Sequence, residues 1–395
     1  MTPPYLPSAD LEQTLRRWRS AALIAGIVLL ALSIVGAFFN PGDFFHGYLV
    51  GFLFWLAFAL GSMAFLMLQY LTGGAWGVMI RRTLESATRT LPLMTVLFIP
   101  LIFGFPYLYD WVHPDRVHSN PVLLHRSHYM NSPLVILRAL IYFAVWNTFM
   151  YFLNRWSLEE DHGVPERRRK LAQLSAAGLI VYVFTITFAA VDWAESLQTP
   201  FYSTIWGFLF VAGEALTAMA FVIIAMWLLN RREPMSGVLL PSHFHDLGKL
   251  LLMMVMVWAY FTFSQLLIIW AGDLPHEISY YLPRFQTSWG WLGVALIVLQ
   301  FLVPFLLLLS VPLKRHAPIL SGVAILVLVM QFWDLVWMTI PGYHKARFTL
   351  SWMTFTLPLG LGGIWLWALF GELPKRPLLP ANDPLLEEAL VHVTE

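Results

Sequence analysis

The chain is built from long apolar runs separated by short polar stretches. A hydrocarbon core about 30 Å thick requires about 20 apolar residues per spanning helix. Turn signals such as Asn40-Pro41-Gly42 and Pro341-Gly342 separate the runs, and no strand-like alternation of the kind a membrane barrel requires is present. The pattern predicts an all-α integral membrane protein with ten transmembrane helices, at residues 20–39, 44–71, 91–109, 133–153, 171–190, 204–229, 247–271, 288–311, 317–340 and 348–370.

The positively charged residues are distributed unevenly between the two sets of predicted loops. The tails and loops on the N-terminal side hold 18 of the 24 Lys and Arg residues. Short cytoplasmic loops carry an excess of such residues, so this side is predicted to be cytoplasmic. An even number of spans places both termini there, and the 110–132 loop is predicted to face the periplasm.

Three segments follow from this topology. Residues 1–19 form a cytoplasmic segment, of which 8–19 are expected to make an interfacial helix that starts at Ser8. Residues 20–371 form the ten-helix transmembrane domain. Residues 372–395 form a cytoplasmic tail, in which 382–393 resemble a short amphipathic helix; a frayed tail is the alternative.

Composition agrees with a membrane environment and excludes several chemistries. The chain is 58% hydrophobic and 12% charged, against about 45–50% and about 25% in soluble domains. The net charge of +1 gives no reason to expect a nucleic-acid partner. With no cysteine, the chain has no ligands for Fe–S clusters or Cys-bound zinc and no attachment point for c-type haem. No histidine lies in the middle of a predicted span, so a midplane haem has no axial ligand.

Acidic residues inside spans six to nine form the main functional candidate. Charges at membrane depth are costly and mark functional sites or pairs. Glu214 is expected near the midplane of the sixth span with no basic residue at its depth, which favours the neutral acid and makes it a candidate proton relay. The alternative is that each acid pairs with a neighbour and locks the helix packing. The predicted proton path consists of Glu214, Asp334, Asp246, Lys249, Gln265, Gln300, Gln331 and Asp192.

Within this path, Asp246 and Lys249 are three residues apart, so they share a helix face at the cytoplasmic end of the seventh span. Asp334 is expected nearer the periplasmic side. The acids are expected to stand on the order of 10 Å or more apart along the membrane normal, so waters held by the glutamines have to bridge them.

The predicted periplasmic side offers a second, weaker candidate. His128, with Arg138 and Asp192, could line a quinone pocket. The loop histidines 113, 118, 125 and 128 have neither cysteine nor the compact spacing of a structural zinc site, so no metal is expected. No catalytic residue is predicted.

One long block gives the chain a family resemblance. The sequence HDLGKLLLMMVMVWAYFTFSQLLIIWAGDLPHEISYYLPR, residues 245–284, resembles the F subunit of bacterial alternative complex III, a quinol:electron-acceptor oxidoreductase. Further matching stretches are LGSMAFLMLQYLTGGAWG at 60–77, RRTLESATRTLPL at 81–93, LRALIYFAVWN at 137–147, LNRWS at 153–157 and VDWAESL at 191–197.

This resemblance implies a member of the NrfD-type polysulfide-reductase membrane-anchor superfamily in a bacterial inner membrane. Two four-helix bundles, spans two to five and six to nine, are then expected beside spans one and ten. The expected partners are the NrfD-like C subunit, the Fe–S B subunit, the c-haem A and E subunits, the D subunit and membrane lipid. The c-type haems and Fe–S clusters belong to those partners, and this chain holds no cofactor beyond bound lipids.

Three functions therefore remain open. The first is a non-redox subunit of a quinol-oxidising complex, structural and proton-translocating. The second is a quinone-binding anchor. The third is a secondary transporter, whose helices are commonly broken at midplane depth; Pro304 and the glycines at 360–363 are candidate breaks in spans eight and ten.

Overall fold

The computed structural model describes residues 5–164, 166–345 and 347–391. The chain is 82% helical, and the described residues form no strand. Ten helices within these described residues are long and apolar enough to cross a membrane. The predicted fold class, an all-α protein with ten candidate spanning helices, is confirmed.

We number the spanning helices α1 to α10 in chain order. They are α1 Ala9–Ala37, α2 Pro41–Thr72, α3 Ala75–Leu108, α4 Ser132–Asp161, α5 Glu166–Trp193, α6 Trp206–Leu229, α7 Pro241–Gly272, α8 Gly290–Leu309, α9 Ala317–Thr339 and α10 Met353–Glu372. A further helix, α11, covers Leu386–Val391.

The connections contain shorter helical pieces. These are helices at Pro114–Ser119, Pro121–Arg126, Pro275–Ile278, Leu282–Phe285 and Val311–Arg315, and 3-10 turns at Asp110–Val112, Glu195–Leu197, Met235–Gly237, Ile340–Gly342 and Leu373–Lys375.

Polar side chains start several spans. Ser8 accepts a hydrogen bond from the backbone N–H of Leu11, as the sequence predicts for an N-cap. Asn40 and Asn131 do the same for α2 and α4, and a proline follows closely after each asparagine, where its missing N–H costs nothing.

Two helices extend beyond their predicted bounds. α1 runs without a break from Ala9, so the predicted interfacial segment and the first span are one helix, since no glycine or proline separates them. α3 starts at Ala75 rather than at residue 91. It consists of Ala75–Thr88 followed by Leu91–Leu108, and its charged first part is buried. Residues 392–393 of the predicted tail helix lie outside the described residues; α11 covers the part before them.

The two candidate helix breaks do not interrupt their spans. α8 continues past Pro304, which directly follows a π-helical segment, Leu296–Leu302. Proline cannot donate to the preceding turn and its ring crowds it, and the wider π-helical turn relieves this crowding. α10 is continuous through Gly360 and Gly363. These glycines allow α1 and α10 to touch, because a Cβ added at Gly363 would lie 2.6 Å from the Cα of Gly26.

The spans pack in two closed circuits of contacts. In one, α2, α3, α4 and α5 touch in turn and α5 returns to α2; in the other, α6, α7, α8 and α9 do the same. The circuits meet where α2 contacts α6 and α9 and where α5 contacts α6. α10 lies on α2, with α1 outside it. The most buried spans, α2 and α6, therefore form the centre of the molecule.

The connections gather at two faces. At the terminal face, which carries the first and last described residues, the N–H of Leu378 donates to the carbonyl of Tyr5, and Arg81 pairs with Asp383 at 2.5 Å. At the opposite, distal face, His344 lies 3.3 Å from Asp43. The basic loops do lie together on the terminal face; that this face is cytoplasmic stays a prediction.

Candidate functional site

Glu214 lies in the centre of the molecule, where the two helix circuits meet. Its side chain is buried on α6, and the hydroxyl of Tyr182, on α5, donates a hydrogen bond of 2.5 Å to one carboxyl oxygen. α2 passes very close: a Cβ added at Gly61 would lie 2.1 Å from the carbonyl oxygen of Glu214, so only glycine fits there.

A small cavity adjoins the Glu214 carboxyl. Its volume is about 20 Å³, and α2, α5, α6 and α9 line it with mostly apolar groups. Thr217 and Gln331 contribute polar side chains to the wall. One water molecule requires roughly 10–15 Å³ and two or more polar partners, so the cavity has room for about one water.

Asp334 anchors a second buried polar group. The indole N–H of Trp258 donates to Asp334 at 2.9 Å, and the amide of Gln331 lies 3.4 Å from the same oxygen. Gln300 in turn donates to Gln331 at 2.7 Å. Three helices, α7, α8 and α9, thus share one hydrogen-bonded group, which contains two of the three predicted glutamines.

Gln331 joins this group to the Glu214 cavity. It lines the cavity, and its amide nitrogen lies 2.7 Å from the position a Cβ would take at Gly213. Glu214 is eight residues from the start of α6 and Gln331 eight residues from the end of α9, so each lies about 12 Å below the distal end of its helix. Glu214 is therefore about one third of the way along the 24-residue α6 from its distal end; its depth in the membrane stays a prediction. A wide separation was expected between Glu214 and Asp334, but Gln331 lies between them: it lines the Glu214 cavity and contacts Asp334.

The remaining predicted path residues do not join this group. Asp246 and Lys249 form an ion pair of 3.1 Å on the terminal face, with the lysine half exposed. Gln265 is buried, and its amide nitrogen has no hydrogen-bond partner. Among the described residues no hydrogen bond links either site to Glu214.

Asp192 forms a buried ion pair with Arg138. Its carboxylate accepts two hydrogen bonds of 2.8 Å from Arg138 and one of 3.0 Å from the Tyr142 hydroxyl. The ring of Tyr129 covers the guanidinium at 3.7 Å. This ion pair connects α4 to α5. Such pairing agrees with the alternative given above, in which a buried acid pairs with a neighbour and locks the helix packing.

A distal cavity of about 590 Å³ lies next to this pair, but other residues line it. Its wall contains His125, Arg126 and Glu195, whereas His128 and Arg138 are not part of it. One Glu195 oxygen accepts the N–H of Ser203 at 2.8 Å, and the other is buried without a hydrogen-bond partner. Glu195 is not among the residues predicted above, because the burial of its oxygen depends on how the chain folds after α5.

No protein-family model matches this chain, and no curated protein matches it. The functional conclusion therefore rests on the geometry above and on the resemblance in the sequence. Within the described residues, no group of three or more histidine and acidic side chains is placed to hold a metal ion.

A buried charge cluster at the terminal face went unpredicted. Glu85 accepts hydrogen bonds from Arg82 and Ser157, both at 2.5 Å, and from Arg376 at 3.1 Å. Arg81 pairs with Asp383 in the same region. Ser157, Arg376 and Asp383 come from distant parts of the chain, so no local spacing signals them. The cluster fixes the C-terminal segment over the start of α3.

The central arrangement is chemically suited to proton transfer. Three helices, α5, α6 and α9, bring together a tyrosine hydroxyl, a buried carboxyl beside a water-sized cavity, and an amide that is hydrogen-bonded to a second carboxyl. Carboxyl groups exchange protons, and neutral hydroxyl and amide groups can orient a water between them.

Proposed function

We propose that the chain is an integral membrane subunit of a quinol:electron-acceptor oxidoreductase of the alternative complex III type, in a bacterial inner membrane. It has no redox centre of its own, supports the assembly of the complex and conducts protons through Glu214. Support for the family comes from the matching stretches, which extend over most of the chain.

The observation that carries the proton-conducting role is that two hydrogen-bonded pairs, Tyr182 with Glu214 and Gln331 with Asp334, meet at one small cavity, which Glu214 and Gln331 line. It lies at the junction of the two helix circuits, where burial would otherwise select apolar residues. Asp192, by contrast, is paired with a cation, Arg138. Tyr182 gives Glu214 a neutral partner instead.

Purification from native membranes tests the assembly role. A tagged chain is expected to bring down c-haem and Fe–S subunits together with a second ten-helix subunit. The chain expressed alone is expected to contain no stoichiometric iron. A tagged chain that purifies from native membranes without haem-bearing partners, or that binds iron by itself, would contradict the assignment.

A quinone-binding anchor is the second candidate, and the distal cavity favours it. The buried, unpartnered oxygen of Glu195 is available to accept the hydroxyl of a quinol head group, with His125 and Arg126 in the same wall. Glu195→Gln would then weaken quinol binding and raise KM for quinol. An unchanged KM for quinol in the assembled complex would contradict quinol binding at Glu195, and only the non-redox role would remain of the two.

A further inference from the structure

A polar cavity opens at the distal face above Glu214. Its volume is about 510 Å³, and the ends of several spans line it: His46 of α2, Tyr109 after α3, Gln198 after α5, and Thr339 and Tyr343 at the end of α9. We call this cavity the distal vestibule. Its walls are mostly polar, unlike those of the Glu214 cavity, so water is its natural content.

A thin layer separates the distal vestibule from the Glu214 cavity. Met338 lines the Glu214 cavity, and the next residue, Thr339, lines the vestibule. Adjacent residues of α9 therefore line the two cavities.

α5 repeats this relationship. Trp193 lines the Glu214 cavity, and Tyr109 of the vestibule wall donates a 2.9 Å hydrogen bond to the Trp193 carbonyl. The indole N–H of Trp193 is buried without a hydrogen-bond partner, which leaves a donor for water at the partition.

Arg284 holds the α9 side of this partition in place. Its guanidinium is fully buried and donates to the carbonyl oxygens of Trp337 at 3.0 Å and Met338 at 2.9 Å. It also donates to Gln198, which lines the vestibule, at 3.3 Å. Burial lowers the pKa of this guanidinium. The free-energy cost of burying the charged group is offset by its hydrogen bonds to these oxygens. Arg284 is thus a positioning residue for the end of α9.

We propose that the distal vestibule is the aqueous outlet of Glu214, reached through the layer formed by Met338, Thr339 and Trp193. The inference rests on the proposed proton-conducting function. In the step itself, the Glu214 carboxyl gives its proton to a water in the adjoining cavity. The resulting hydronium passes the proton to vestibule water, and the carboxylate takes up a new proton from the terminal side.

Cysteine labelling tests the outlet, because the chain has no cysteine of its own. Thr199→Cys places a thiol in the vestibule wall, and Ser119→Cys places one on an exposed distal helix. A charged, membrane-impermeant methanethiosulfonate is added to the assembled complex in sealed vesicles of known orientation. Both thiols are expected to react from the distal side. Failure of Thr199→Cys to react there would overturn the aqueous vestibule.

Proton movement in the same vesicles supplies the functional result. The adduct at Thr199→Cys is expected to lower the protons moved per electron, and reductive removal of the adduct is expected to restore them. The adduct at Ser119→Cys is expected to have no effect. An unchanged ratio with fully modified Thr199→Cys would overturn the outlet.

A further variant separates this failure from failure of the proposed function. If Glu214→Gln lowers the proton ratio but the Thr199 adduct does not, the outlet is wrong and the conducting role stands. If Glu214→Gln has no effect on the ratio, the conducting role itself is wrong, whatever the labelling shows.

Discussion

The hydroxyl of Tyr182 donates a 2.5 Å hydrogen bond to Glu214 in the middle of the helix bundle. The two residues belong to different helix circuits, since α5 carries Tyr182 and α6 carries Glu214. A buried carboxyl is thus hydrogen-bonded to a neutral donor and also lines a water-sized cavity. This pairing distinguishes Glu214 from Asp192, which two arginine N–H groups neutralise.

Removing the tyrosine hydroxyl is expected to destabilise the bundle. Tyr182→Phe leaves a buried carboxyl oxygen without its donor, which costs about 1–3 kcal/mol. The free energy of unfolding in mixed detergent micelles measures this. Tyr260→Phe is the matched control, because Tyr260 is 66% exposed on α7 and should change little. Equal stability of the two variants would show that the Tyr182 bond contributes nothing.

Breaking the ion pair between Arg138 and Asp192 is expected to cost more. Asp192→Asn removes the charge opposite a largely buried guanidinium, a change worth about 3–5 kcal/mol when the pair is buried. The exposed pair of Arg16 and Glu12 supplies the control, since Glu12→Gln should cost no more than about 1 kcal/mol. Similar losses in both variants would mean that burial does not strengthen the Asp192 pair.

The C-terminal segment is expected to depend on Asp383. Its carboxylate pairs with the buried Arg81, and it accepts the N–H of Leu385 just before α11. Asp383→Asn should release the segment and speed amide hydrogen exchange across Leu386–Val391. Glu388→Gln, on the exposed side of the same helix, should leave exchange unchanged. Unaltered protection in the Asp383 variant would show that other contacts hold α11.

The two loop faces are expected to lie on opposite sides of the membrane. Ser119 belongs to an exposed distal helix and Ser236 to an exposed turn at the terminal face. Single cysteines at these positions should react from the periplasmic and the cytoplasmic side, respectively, and the unsubstituted chain gives no background. Labelling of both positions from one side would contradict the topology.

The number of spans was predictable because each apolar run has the length a bilayer imposes. The pairing of Asp246 with Lys249 was also readable, since residues three apart share a helix face. Tyr182 gave no such signal: a tyrosine within an apolar run becomes the partner of Glu214 only when α5 packs on α6.

The early start of α3 could not be predicted from the sequence, for a related reason. Its first part contains Arg81, Arg82 and Glu85, charges that locally indicate an exposed loop. Their burial depends on Ser157, Arg376 and Asp383, which are far away in sequence. Long-range compensation of this kind has no local pattern.

The most direct test of the central claim is the number of protons moved per electron by the Glu214→Gln complex in sealed vesicles. Glutamine keeps the shape and hydrogen bonding of the side chain but has no exchangeable acid proton. The complex is expected to assemble and to oxidise quinol normally without a gradient, while fewer protons move per electron; Glu387→Gln, at the exposed start of α11, is expected to leave the ratio unchanged. A well-assembled Glu214→Gln complex with the full proton ratio would contradict the account and make Glu214 a packing residue.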